Sequence, residues 1–572
     1  MNSPLARLFL AVVLASAFRP AQAAPYGKPL PNPTPGDKIF AEYFRAETRA
    51  VTDRTLADVQ SLADWNARKA QFRQQLFEML SLSPLPPKTE LHATTTGTID
   101  HPEFTVENLH FQSMPGLYVT ANLYVPKKLE KPVPAILYVC GHSVNKTNGV
   151  SYGNKVGYQH HGAWFARNGY VCLTIDTVQL GELEGLHHGT HNKGMWWWNA
   201  RGYTSAGAEA WNCIRALDLL QSRKEVDPER IGVTGRSGGG AYSWWIAALD
   251  ERIKAACPVA GITDLENHVV DGTVEGHCDC MFTVNTYRWD YAHVAALVAP
   301  RPLLICNTDK DSIFPLDGVV RLHEKVRRIY DLQGAGGNLG LLITEGPHKD
   351  TQDLQVPVFR WFNRFLKNDT GTVEGVATKF FNGQQLKVFE KAPADERTTR
   401  IHESFIAAAK PPAAPKTQPA WSAQRNEWMV ALKEKVFAGW PREALSLELK
   451  PIAARASDGV QFSIFEFQSQ TAMPLRIYVA SPTAANRATQ TIFNVLDERD
   501  WANWLGTVVS GFTEELREEI AAIEPGVKLT ATPESTKIFS DWRAFVKDGN
   551  AVHVYFAPRG VGLTALTGNA KH

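Results

Sequence analysis

Residues 227–245, DPERIGVTGRSGGGAYSWW, put a serine where its hydroxyl could act as a nucleophile. A short apolar run, Ile231 to Thr234, leads into Gly235-Arg236-Ser237-Gly238-Gly239, and an apolar helical stretch follows. G-x-S-x-G between a strand and a helix is the nucleophile-elbow pattern. Its glycines are needed because a serine on so tight a turn leaves no room for side chains beside it. The turn lifts the hydroxyl to a helix N-terminus, where backbone N–H groups favour developing negative charge. A serine hydroxyl is a weak nucleophile at neutral pH and requires a base held by an acid.

Both partners are expected downstream, acid first and histidine second. PLLICNTDKDSIFP sets two carboxylates directly after an apolar strand. Asp311, four residues before Pro315, is the expected acid and Asp309 its competitor. LLITEGPHKD puts His348 in a loop after another apolar strand, where it is the expected base; His323 lies in the charged run RLHEKVRR and is read as solvent-facing. The oxyanion donors are expected to be the backbone N–H of Gly238 and one from Gly141-His142-Ser143, taken as His142. The His142 imidazole could line a pocket or serve a purely structural role.

These groups need a scaffold that gathers strand ends. From Ala135 onward, short apolar runs ending in polar loops alternate with helical stretches: 135–142, 170–176, 230–235, 254–261, 302–309 and 340–346. Continuous apolar strands separated by helices predict an α/β fold, a mostly parallel sheet covered by helices on both faces. Such a sheet carries its chemistry at the carboxyl ends of its strands. Two strand-like segments, 104–112 and 117–125, precede it, and residues 38–80 carry helical periodicity.

The two-strand lead-in, D-P-E-R-I-G-V-T-G-R-S-G-G, A-P-R-P-L-L-I, the Asp311 loop with its proline and G-P-H together resemble the α/β-hydrolases. The resemblance is to the branch of acetyl xylan esterase-like and prolyl-oligopeptidase-like serine hydrolases, over residues 60–367. It implies that fold and the roles of Ser237, Asp311 and His348 as nucleophile, acid and base. Glucuronoyl esterases carry an arginine immediately after the nucleophile, whereas Arg236 precedes Ser237; Arg236 is kept as a candidate substrate contact.

Other features bear on substrate and compartment. HHGTHNKGMWWWNARGY (187–203) holds three consecutive tryptophans in a polar loop. Trp196, Trp197 and Trp198 could form a stacking wall for sugar rings or brace the loop from beneath. Near His187, His188 and His191 no carboxylate or cysteine completes a known ligand spacing, so no metal is expected, nor any cofactor. In EGHCDCMF (275–282), Cys278 and Cys280 are read as pocket wall or as a strained or intermolecular disulfide, while Cys140, Cys172 and Cys306 sit in apolar runs as buried small hydrophobes. Sixty Lys+Arg against 59 Asp+Glu leaves no footprint for nucleic acid or an anionic membrane. Residues 1–23 read as a secretory leader cleaved after Ala23, and no later stretch is long and apolar enough to span a bilayer, so a secreted or periplasmic protein is expected.

The chain of 572 residues exceeds what one core supports. The predicted layout is leader 1–23, N-terminal arm 24–59, catalytic domain 60–390, Ala/Pro-rich linker 391–420 and a second lobe 421–572. That lobe reads as a partial repeat of α/β character: FQSMPGLYVTANLYVP (111–126) echoes FQSQTAMPLRIYVASP (467–482), and later apolar runs correspond in order. At the spacing between Tyr124 and Tyr478, the counterpart of Ser237 falls beyond His572, so the lobe is expected to be non-catalytic. The expected function is an exported serine esterase removing acetyl or methyl-ester groups from plant-type carbohydrates. Its rivals are a serine exopeptidase of prolyl-oligopeptidase type and a non-catalytic glycan-binding protein.

Overall fold

The computed structural model describes residues 33–273, 281–441, 443, 445–483, 488–523 and 533–566. The leader and the Cys278/Cys280 pair lie outside the described residues. A nine-stranded sheet contains β1 (Thr94–Asp100), β2 (Phe104–Met114), β3 (Leu117–Pro126) and β4 (Val133–Val139). A separate hairpin, β5 (Lys146–Thr147) with β6 (Val150–Ser151), follows. The large sheet continues with β7 (Val171–Ile175), β8 (Val226–Arg236), β9 (Ile253–Val259), β10 (Leu303–Thr308) and β11 (Leu339–Thr344). Its order is β1-β2-β3-β7-β4-β8-β9-β10-β11, antiparallel from β1 to β7 and parallel from β7 to β11.

Residue type explains the burial. The VCLTI of β7 and LLICNT of β10 are buried throughout, which suits strands covered on both faces. Helix α1 (Pro35–Arg54) and helix α2 (Leu62–Met79) precede the sheet. The periodic stretch expected over 38–80 is thus two helices, because Thr34 with Asp37 and Ser61 with Asp64 each form a capping box that starts its own helix. The others that matter to the site are α3 (Gln159–Arg167), α4 (Ser205–Ser222), α5 (Gly238–Leu249), α6 (Leu316–Leu332) and α7 (Gln352–Lys367). Trp164 of α3 lies flat on Phe359 of α7, ring centroids 3.7 Å apart.

The second sheet comprises β12 (Lys450–Ser457), β13 (Val460–Gln470), β14 (Met473–Pro482), β15 (Gln490–Val495) and β16 (Ala551–Phe556). Its order, β12-β13-β14-β16-β15, has the same strand directions as β1-β2-β3-β7-β4. The correspondence extends to register, with a bulge after Gln112 and another after Gln468. Asn122 faces Thr174 across β3 and β7 as Tyr478 faces Tyr555 across β14 and β16. Tyr478 therefore stands where Asn122 stands, and pairing it with Tyr124 is two residues out of step. Matching like aromatic residues misled, because strand ends and bulges carry the register. Phe462, Trp501, Trp504 and Phe512 fill a separate core behind this sheet.

Two segments dock rather than trail. Within the proposed arm, Thr34 Oγ1 donates to the Ala565 carbonyl (3.2 Å) and Thr52 Oγ1 to Asp290 Oδ2 (3.0 Å), so α1 touches both sheet units. Within the proposed linker, Ile401 and Phe405 bury in the first core and Arg397 N–H donates to the Gly116 carbonyl, 2.8 Å. Only the exposed stretch after Ile406 behaves as a connector.

Candidate active site

Strand β8 ends at Arg236 and α5 starts at Gly238, leaving Ser237 alone on the turn at φ 60°, ψ −123°. That is costly backbone for a residue with a Cβ, of order 1–3 kcal/mol, and persists only because the surroundings impose it. Ser237 N–H donates to the Val259 carbonyl (2.9 Å), and the Ser237 carbonyl accepts from Ala241 N–H at 3.0 Å. The flanking glycines are required by close approach: a Cβ on Gly239 would lie 2.1 Å from the Val139 carbonyl oxygen, and one on Gly235 2.3 Å from it.

The structure brings three predicted residues together at the strand tips. His348 Nε2 stands 3.0 Å from Ser237 Oγ, and its Nδ1 is 2.7 Å from Asp311 Oδ2. Asp311 is buried, and its Oδ1 accepts from the backbone N–H groups of Ile313 (2.9 Å) and Phe314 (3.0 Å). Asp309 is exposed and accepts instead from Gly346 N–H, 2.8 Å, joining the loops after β10 and β11. Serine, imidazole and fixed carboxylate form a chain of hydrogen bonds able to move a proton from the hydroxyl to Nε2.

The loop after β4 lies hard against the elbow, where a Cβ on Gly141 would be 2.1 Å from the Arg236 carbonyl oxygen. Gly238 begins α5, and the His142 ring stacks on that of His187, 5.2 Å between centroids. Arg236 turns inward, its Nη2 donating to the His348 carbonyl at 2.6 Å. The candidate substrate contact is thus engaged in holding the base loop. Trp198 departs from its expected role in a stacking wall: it is 1% exposed, covered by Tyr203 and His402, and does not present a face to solvent. Gly189 is needed beneath it, since a Cβ there would meet the Trp198 ring at 2.2 Å. Trp196 and Trp197 are 54% and 43% exposed.

Sequence reading missed two buried polar clusters. In one, Lys155 Nζ pairs with Asp176 Oδ2 (2.7 Å) and Glu182 Oε1 (2.6 Å) without exposure, while Asn154 Nδ2 donates to the Gly141 carbonyl (2.8 Å). This underpins the β4 loop. The one local signal was Asp176, placed directly after the apolar run YVCLTI; Asn154, Lys155 and Glu182 lie in polar, Gly-containing stretches. The other joins His160, His161 and Asp350, with their ligand-type atoms within 4.8 Å of one another.

Glu209 on α4 is buried, with its Oε1 accepting from Val178 N–H at 2.6 Å, and burial pushes its carboxyl up to about 8. A carboxyl raised in the folded state keeps a proton that the unfolded chain releases near its ordinary value. Its contribution is therefore fully present below about pH 4.5 and fades as pH rises toward 8. Melting curves from pH 5 to 9 should show Glu209→Gln gaining on the wild type as pH rises, the gap levelling near pH 8. A pH-independent gap would refute it.

Residues 157–349, containing all three catalytic candidates, match the prolyl oligopeptidase family. Among curated proteins, "Putative hydrolase YtaP" of Bacillus subtilis (strain 168) is 27% identical over 311 residues, 52% of this chain and 100% of that protein. A 4-O-methyl-glucuronoyl methylesterase of Phanerochaete carnosa (strain HHB-10118-sp) is 22% identical, covering 57% of this chain and 82% of that protein. Among solved structures, Methylesterase BT1017 aligns with TM-score 0.43 at 22% identity, covering 68% of this chain and 81% of that one. Sheet order, strand-turn-helix elbow and the match over residues 157–349 converge on an α/β-hydrolase fold for the nine-stranded domain.

Proposed function

We propose that the protein is a serine carboxylic ester hydrolase acting on carbohydrate esters, removing acetyl or methyl-ester groups. The observation carrying this reading is the hydrogen-bonded chain Ser237 Oγ, His348, Asp311 on a strained elbow. Ser237 Oγ attacks the ester carbonyl as His348 Nε2 takes its proton. Asp311 keeps the other ring nitrogen protonated and steadies the imidazolium. Gly238 N–H and a donor from the β4 loop, His142 in our assignment, stabilise the tetrahedral oxyanion. Collapse expels the alcohol, which receives the proton from His348. Water activated by the same histidine then releases the acid from the acyl-enzyme. The reading needs no cofactor.

The carbohydrate part rests on exposed Trp196 and Trp197, suited to stacking on sugar rings, and on a curated relative named as a 4-O-methyl-glucuronoyl methylesterase. Export is proposed from the leader-like 1–23, and among the described residues no helix is long and apolar enough to cross a membrane. The prolyl oligopeptidase match favours one rival, a serine exopeptidase. Purified protein is expected to hydrolyse p-nitrophenyl acetate and, in a panel of acetylated xylan, methyl-esterified pectin and glucuronoyl esters, at least one polymer-derived ester. Cleavage of an aminoacyl-p-nitroanilide alone would transfer the chemistry to peptides.

The tryptophans separate by role. Trp196→Ala or Trp197→Ala should raise KM for the carbohydrate ester up to about tenfold, as loss of one stacking contact of about 0.5–1.5 kcal/mol implies. Neither should alter turnover of p-nitrophenyl acetate. Trp198→Ala should instead destabilise the fold by about 3–5 kcal/mol, read by denaturant unfolding.

A further inference from the structure

Asp350 lies two residues beyond His348, between β11 and α7, and the serine-hydrolase assignment leaves it unused. Its Oδ2 takes two hydrogen bonds from adjacent residues of α3, His160 Nε2 at 3.0 Å and His161 Nε2 at 2.8 Å. Its Oδ1 accepts from Gln355 Nε2 at 3.1 Å. With both imidazoles carrying their proton on Nε2, three donors satisfy this carboxylate, and no cation is required.

The imidazoles are themselves fixed. His161 stacks on Tyr138 of β4, centroids 4.5 Å apart at 25°, with Phe359 of α7 at its edge. His160 is buried, and burial, with His161 beside it, pushes its imidazole down to about 4, so it is a neutral donor at working pH. Asp350 is desolvated, which alone would raise its carboxyl, yet the two imidazoles hold it well below the ordinary range.

The surrounding loop shows why this matters. Glu345, Pro347 and Lys349 are exposed. Upstream, Gly346 N–H is tied to Asp309 and the Pro347 carbonyl to Thr308 Oγ1 (3.2 Å), while Arg236 holds the His348 carbonyl. Asp350 supplies the anchor on the downstream side. It links the base loop to α3, which follows the loop assigned the second oxyanion donor.

We propose that Asp350, gripped by His160 and His161, is a positioning residue that fixes the His348 loop so that Nε2 stays in line with Ser237 Oγ. This rests on the serine-esterase reading. A misplacement of about 1 Å costs about 100-fold in rate, which sets the expected scale.

The test compares wild type, Asp350→Ala, Asp350→Asn, His160→Leu and His160→Gln with p-nitrophenyl acetate, alongside melting temperature and metal content. Asp350→Ala is expected to lose about 30- to 100-fold in kcat with KM within threefold. Asp350→Asn should recover most of it, since its oxygen accepts both imidazoles and Gln355 can reverse its amide. His160→Leu should lose about five- to tenfold, and His160→Gln, which keeps a donor, should not. If Asp350→Ala fails to fold, the His160 pair decides. Folded Asp350→Ala with kcat within twofold of wild type, or equal kcat in the two His160 variants, overturns the proposal. So does stoichiometric divalent metal in wild type that the variants lack, which would make the cluster a metal site. Inactivity of wild type toward every ester would instead remove the esterase reading.

Discussion

Ser237→Ala is expected to lower kcat for p-nitrophenyl acetate by about four to six orders of magnitude while leaving the folded state unchanged. At about 1.4 kcal/mol per factor of ten, that is about 5–8 kcal/mol of transition-state stabilisation. Alanine retains the Cβ, so the turn at φ 60° bears the same strain and melting temperature should not move. Residual turnover should come from the oxyanion donors acting on bound ester with water as nucleophile. A fluorophosphonate probe offers a second readout, labelling wild type and not the variant. Undiminished hydrolysis in Ser237→Ala would refute the covalent mechanism, and glycan binding without turnover in wild type would favour the binding-protein reading.

The central parallel strands were legible because both of their faces are covered, whereas the mostly exposed edge strand β1 carries no apolar pattern and was not anticipated. Segments such as VCLTI and LLICNT can be apolar throughout only when helices shield both sides, and loops punctuate them clearly. Ser237 was legible because its surroundings must be glycine, and Asp311 because a proline-closed loop follows its strand. What resisted reading depends on contacts distant in the chain. Nothing local marks His160 and His161 as partners of Asp350, which lies about 190 residues away. Nor does a run of three tryptophans reveal that Gly189, Tyr203 and His402 close over the third. For Arg236 the sequence offered only its place beside the nucleophile, which made it a candidate substrate contact. Its guanidinium in fact reaches the His348 carbonyl.

Asp311→Asn carries the other large effect, and the local hydrogen bonds fix its mechanism. Asp311 Oδ1 accepts from two backbone N–H groups, so the asparagine must place its oxygen there and cannot turn its NH2 toward them. The amide nitrogen is then left facing His348 Nδ1 across the 2.7 Å contact. A donor in that position forces Nδ1 to present its lone pair, and the imidazole proton moves to Nε2. Nε2–H points at Ser237 Oγ and cannot accept the hydroxyl proton, so the base is lost although nothing has moved. The expected cost is about 10³- to 10⁴-fold in kcat with little change in melting temperature. Asp309→Asn is the control: that side chain is exposed and its oxygen can still accept from Gly346 N–H, so activity should stay within about threefold. Should Asp309→Asn prove the damaging change and Asp311→Asn the mild one, the acid has been assigned to the wrong carboxylate.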